Sequence, residues 1–173
     1  MHDEKIVKKA VKGNDKAFMI LMNQCKEQIY RTAFAYVKEE EMALDIVQEV
    51  VYKAYKSIKN LREPKFFNTR IMRIAINIST DFYNKKNQVV CMEEEKILSK
   101  MDKNDNDNDE RLFLMESLEK LEDKYKKIII LKYFDDLTFK DIAEILDMPE
   151  NTVKTNLYKG ISILRNDMKK EMI

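Results

Sequence analysis

The chain has no tryptophan, two glycines, two prolines, two cysteines and one histidine in 173 residues. So few turn-forming residues exclude a turn-dense β architecture and leave little for the glycine-bearing connections of α/β folds, so an all-α chain is expected. With only Gly13 and Gly160 available, no glycine-rich phosphate loop can be built. His2 is the only histidine, and Cys25 and Cys91 belong to no spaced set. No zinc cluster, and no metal or cofactor of any kind, is expected. The cysteines read as two reduced thiols rather than a disulfide. No apolar run reaches the roughly 18 residues that would span a bilayer. The opening M-H-D-E-K-I-V-K-K-A lacks the apolar core of a signal peptide. A cytoplasmic protein is expected. Carboxylate pairs abound, but none is clearly placed in an apolar pocket, so neither an autonomous enzyme nor a small-molecule substrate is expected.

What is present is apolar and charged: 45% hydrophobic and 36% charged residues, with a net charge of +1. That near-neutrality hides a swing along the chain. Residues 1–87 carry about +6, residues 88–110 about −5, and residues 111–173 about 0. The stretch M-D-K-N-D-N-D-N-D-E, residues 101–110, has almost no apolar side chain to offset its ordering entropy and reads as a linker. The expected organisation is therefore two small helical domains, 1–88 and 111–173, joined by a flexible acidic linker over 89–110.

Each domain is legible as stripes at i, i+3, i+4 and i+7. In the first these are Phe18-Leu21-Met22-Cys25-Ile29-Ala33, then Ala43-Ile46-Val47-Val50-Ala54, then Ile71-Ile74-Ala75-Ile78-Phe82. Pro64 breaks the chain before the third stripe. In the second domain, helical patterns cover 111–120, 123–134, 139–146 and 149–168.

The most informative stretch is T-F-K-D-I-A-E-I-L-D-M-P-E-N-T-V-K-T-N-L, residues 138–157. Thr138 and Asp141 form a weak capping box. Ile142, Ala143, Ile145 and Leu146 pack inward, and Pro149 suits the first turn of the next helix. Val153, Leu157, Ile161 and Leu164 form that helix's buried stripe. A three-residue turn, Asp147-Met148-Pro149, between two short helices is the spacing of a helix-turn-helix. The second helix exposes Glu150, Asn151, Lys154, Thr155, Tyr158, Lys159 and Arg165. Its free N–H groups can meet a phosphate, and Asn151, Lys154 and Thr155 can reach base edges in a major groove. The turn's first position favours a left-handed backbone and usually glycine; Asp147 takes it at a cost of roughly 1 kcal/mol.

These residues resemble the promoter-binding domain of bacterial sigma factors, together with the preceding L-E-K-L-E-D-K-Y-K-K-I-I-I-L-K-Y-F-D-D-L. The first domain is similar to the other conserved sigma domain. A-L-D-I-V-Q-E-V-V-Y-K-A-Y-K resembles its core-binding helix, and F-F-N-T-R-I-M-R-I-A-I-N-I-S-T-D-F its promoter-melting helix. Two domains with only a linker between them resemble the extracytoplasmic-function (ECF) group.

The resemblance implies an alternative sigma factor with core RNA polymerase and promoter DNA as partners, and a membrane-bound anti-sigma factor. It implies that Asp45, Gln48 and Glu49, at i, i+3 and i+4, dock on polymerase. It further implies that Arg62, Lys65, Phe66, Arg70, Arg73, Asn77, Thr80 and Asp81 hold the melted, single-stranded minus-10 element. In that role an amide such as Asn77 reads a base, while Arg70 and Arg73 hold phosphates or stack. Thr138, Asn151, Thr152, Lys154, Thr155, Tyr158 and Lys159 would face the minus-35 duplex. The acidic linker would thread toward the polymerase active centre and RNA exit path; a solvated tether is the plain alternative. Two positions depart from the family: Arg70 stands where it usually has tryptophan, and Asn156 where it often has arginine.

Two other readings compete. A conventional helix-turn-helix regulator binds duplex DNA without polymerase, and leaves residues 3–88 unexplained. A protein-binding helical scaffold makes no use of Lys154 or Asn77 toward DNA.

Overall fold

A computed structural model of the chain describes residues 3–93, 117–118 and 120–171. Among the described residues the regular structure is helical, as expected from the shortage of turn residues. Helix α1 spans Glu4–Val11, α2 Asp15–Val37 and α3 Glu40–Ser57. Two single 3-10 turns, Ile58–Asn60 and Pro64–Phe66, lead into α4, Phe67–Glu93. Then follow α5, Asp123–Tyr133, α6, Phe139–Leu146, and α7, Glu150–Glu171.

Local chemistry sets the boundaries. The Asp3 carboxylate accepts from the Lys5 N–H at 2.8 Å and starts α1. The Asn14 side chain accepts from the Ala17 N–H at 2.9 Å and starts α2. Gly13 lies between them at φ +90°, where a side chain is strained. Thr138 and Asp141 close a reciprocal capping box at the start of α6. Asp147 ends α6 at φ 53°, the left-handed conformation expected of it.

Helices α2, α3 and α4 pack mutually, with α1 across α2; α5, α6 and α7 form the second cluster. All six residues of the α2 stripe and all five of the α3 stripe are buried, as are Val153, Leu157 and Leu164 of α7. Cys25 is a buried thiol whose pKa burial pushes up to about 11, so it stays protonated.

The two clusters also pack on one another, α4 against α6 and α2 against α5. The Thr32 hydroxyl donates to the buried Asp135 carboxylate at 2.6 Å. The Tyr36 hydroxyl donates to Asp123 at 3.3 Å. Lys126 is buried, with its ammonium 3.4 Å from the Tyr83 ring centroid and 5.2 Å from that of Tyr36. Two further features of α4 bear on the sequence expectations. Helix α4 continues to Glu93, past the expected domain end at 88. Thr80, expected among the strand-binding residues, is buried and donates to the Ile76 carbonyl at 2.8 Å. The cause is that α4 carries a second buried face, including Met72, Ile76 and Thr80, besides the Ile71-Ala75-Ile78 stripe. The expected acidic linker falls, beyond Glu93, on residues outside the described ones, as does most of the expected helix at 111–120.

Helices α5 and α7 meet at Gly160. A Cβ there would lie 2.9 Å from Ile129 Cδ1 and 3.1 Å from Tyr125 Cβ. Ile129 can swing its tip away, but the Tyr125 Cβ is fixed to backbone. Gly160→Val is expected to destabilise the fold by about 1–3 kcal/mol through overpacking, read from urea unfolding midpoints.

Burial raises the Asp135 pKa to about 6, opposed in part by the Thr32 hydrogen bond and by Arg31. A carboxyl raised above its unfolded value near 3.9 contributes stability that is complete below about pH 4 and lost as pH rises through about 6. Unfolding free energy should therefore climb as pH falls across that window. Asp135→Asn keeps an acceptor for Thr32, and should be more stable than the native chain at pH 7 and flatten the dependence.

Candidate nucleic-acid interface

Two surfaces carry the residues expected to meet nucleic acid. The first is a cleft of about 970 Å³ along the outer side of α4. It is lined by Arg62, Phe66, Arg70, Arg73 and Asn77, five of the residues expected on the melted strand. The 3-10 turn around Pro64 carries the chain into α4, and the spacing of Arg70, Arg73 and Asn77 then sets them on one face. Arg70 Nε is buried and meets no hydrogen-bond acceptor among the described residues. A buried guanidinium N–H left without an acceptor is costly.

Not every expected residue enters the cleft. Lys65 pairs with Glu63 at 2.8 Å and lies over the Phe66 ring at 4.8 Å. Asp81 is exposed further along α4, and Thr80 is interior. Phe66 is 38% exposed, whereas its neighbour Phe67 is in the core, so only Phe66 offers an aromatic face.

Sequence reasoning missed Lys53 and Lys56, which line the same cleft from α3. Their signal was present: they follow Glu49 on the polar side of an otherwise clear stripe. Together with Arg62, Arg70 and Arg73 they give the cleft five cationic side chains, a basic track fitted to a sugar–phosphate backbone. Glu63, Glu144 and Asp147 are the acidic side chains on its walls.

The second surface is the outer face of α7. Asn151, Thr152, Thr155, Tyr158 and Lys159 are exposed, Tyr158 at 66%. Lys154 pairs with Glu150 at 2.7 Å, and Thr155 donates to the Asn151 carbonyl at 2.9 Å. Thr138 stands exposed at the α6 cap, engaged with Asp141. Val153 and Leu157 anchor α7 from below, so the face is held by core packing rather than by its own polar contacts.

On α3, Asp45 and Gln48 are exposed and Glu49 is half-buried, 3.9 Å from Lys53. Leu44 and Tyr52, 41% and 52% exposed, flank them and give this polar face an apolar margin that the sequence reading did not assign. Among the described residues no group of three or more His, Cys, Asp or Glu side chains is placed to hold a metal ion. No described helix is long and apolar enough to cross a membrane.

Comparison with known proteins follows the same division. The family described as Sigma-70 region 2 matches residues 21–89, and Sigma-70, region 4 matches residues 113–164. The chain is 38% identical to the RNA polymerase sigma factor SigV of Bacillus subtilis over 146 residues, 84% of this chain and 87% of that one. It is 29% identical to the ECF RNA polymerase sigma factor SigW of the same organism, over 96% of each chain. Among solved structures, CnrH in complex with the cytosolic domain of CnrY superposes with a TM-score of 0.76 at 18% identity, covering 97% of both chains. The sigma factor RpoE of Bartonella quintana, in complex with the anti-sigma factor NepR, superposes at 0.68 and 16% identity, over 89% of this chain and 98% of that one.

Proposed function

The chain belongs to the extracytoplasmic-function RNA polymerase sigma factors, and from that premise we propose how its surfaces divide the work of initiation. As a sigma factor it directs core RNA polymerase to specific promoters. Its first domain docks on polymerase through Asp45, Gln48 and Glu49, whose carboxylates and amide suit an arginine-bearing partner surface. The face of α7 reads the minus-35 duplex through Asn151, Lys154 and Thr155, with Thr138, Thr152, Tyr158 and Lys159 around them. The cleft along α4 receives the melted minus-10 strand.

The observation that carries this division is the cleft itself. Five cations, the Asn77 amide and the exposed Phe66 ring converge on one concave surface. Extracting a base from the duplex costs a few kcal/mol, and such a surface offsets it through stacking, amide recognition of a base edge and phosphate pairing. Lys65 and Asp81 border that path without lining it. Arg70 supplies a charged donor where a tryptophan wedge would act by shape. The protein carries out no covalent chemistry and works in the cytoplasm. The anti-sigma factor NepR bound to the neighbour RpoE, and the cytosolic domain of CnrY bound to CnrH, favour an anti-sigma partner here, one anchored in the membrane.

Run-off transcription with core polymerase on a library of promoter fragments tests the reading. Discrete new start sites are expected only when the protein is added. No start sites, together with a shift of duplex DNA by the protein alone, would favour a conventional regulator. Lys154→Ala is expected to weaken promoter-complex formation by about 1–3 kcal/mol, with core binding retained. Loss of core binding in that variant would overturn the assignment of faces. Asn77→Ala should impair strand opening, read by permanganate reactivity, more than initial duplex binding.

A further inference from the structure

Thr32 on α2 and Asp135 in the turn after α5 meet across the seam between the domains, and both are buried. Thr32 Oγ1 stands 2.6 Å from Asp135 Oδ2 and 3.1 Å from the Gln28 carbonyl oxygen, one turn back on its own helix. A hydroxyl has a single proton to give. If Asp135 is a carboxylate, both oxygens around the hydroxyl are acceptors, and one of the two contacts holds no proton. If Asp135 is a carboxylic acid, it brings the second proton itself. Its O–H then donates to Thr32 Oγ1, and the Thr32 hydroxyl donates to the Gln28 carbonyl. The neutral acid completes the arrangement and the carboxylate does not.

Burial acts in the same direction. Asp135 Oδ1 meets no hydrogen-bond partner among the described residues, so an ionised Asp135 would hold its charge out of water on one accepted bond. Arg31, on α2, is the charged neighbour that favours ionisation, yet it is exposed and already pairs with Glu27 at 3.3 Å. Other charged groups along the seam are engaged elsewhere. Lys132 donates to the Leu137 carbonyl at 2.9 Å. Asp123 accepts from the Tyr36 hydroxyl and pairs with Lys127 at 2.7 Å, and Lys126 lies against the Tyr83 ring. Asp136, next to Asp135 in the chain, is exposed. Desolvation accordingly lifts the Asp135 pKa to about 6, against about 3.9 for an aspartate in water.

We propose that Asp135 is a proton-operated latch between the two domains. Protonated, it completes the run Asp135–Thr32–Gln28 and holds the turn after α5 on α2. Ionised, it gains by leaving the seam for water, and the domains part more readily while each keeps its own core. The carboxyl binds its proton more tightly in the packed chain than in the parted one. The latch is therefore fully engaged below about pH 4 and is lost as pH rises through about 6. The ratio of packed to parted chain should be about tenfold higher at pH 5 than at pH 7.5. Acid drives the free chain toward the packed arrangement, and near-neutral pH leaves it readier to separate. The latch is independent of which surface meets nucleic acid.

The test compares the full native chain with Asp135→Asn, which is neutral at every pH and whose amide can donate to Thr32 Oγ1 as the acid does. Small-angle X-ray scattering from about pH 5 to about pH 7.5 reads the packed and parted populations, and circular dichroism checks that the helices persist. The native chain should expand as pH rises, while Asp135→Asn should stay compact throughout. Native scattering that does not change over that range would overturn the latch. So would an expansion that persists in Asp135→Asn, because another group would then be its cause. If Asp135→Asn does not fold, the carboxyl carbon resonance of Asp135 in the native chain decides. Titration nearer to about 6, in step with the expansion, upholds the latch. Titration near about 4, as for a solvated aspartate, would overturn it.

Discussion

Helix α4 is packed from two sides, and the rest of the molecule is arranged around that constraint. Its Ile71-Ala75-Ile78 stripe closes the core with α2 and α3, while α6 is packed against it from the second domain. What remains of its circumference is narrow, and Arg70, Arg73 and Asn77 crowd onto it. A helix with one free side must use that side for everything polar. The same strip consequently serves as cleft wall and as contact for the helix-turn-helix.

The seam between the domains is unusually polar. A buried carboxylate, a buried ammonium and two tyrosine hydroxyls or rings meet there, rather than a sheet of aliphatic side chains. Burying charge costs free energy even when it is partnered, so such a seam adds less to stability than an apolar one of the same area. Asp135 illustrates it: one oxygen accepts from Thr32, the other finds no partner among the described residues, and its pKa rises to about 6.

Fold and family were legible because the signals that carry them are local and periodic. The stripes of α2 and α3 needed only the 3.6-residue period, and every residue in them is buried. The turn at Asp147 was legible from a capping pair, a proline and a three-residue gap, and the left-handed backbone follows from the chemistry of that gap. The residues expected to face the melted strand came from the resemblance, with spacing along α4 placing Arg70, Arg73 and Asn77 together. Lys53 and Lys56 were missed because they come from another helix and meet the others only in space. Lys126 lies one turn before Ile129 and Ile130, which puts it on the apolar side of α5.

The sequence by itself determined the helices, their inward faces and the two modules, because each depends on residues within a few turns of one another. Tertiary structure decided which outward faces remain free. Thr80 has the same local pattern as an exposed neighbour, and only the tertiary packing around α4 buries it. Arg73 looks in sequence like a free phosphate ligand, and only the arrival of α6 shows its donors engaged by carbonyls. Side chains separated by 71 to 75 positions meet at that contact, and no periodicity carries information over such a distance.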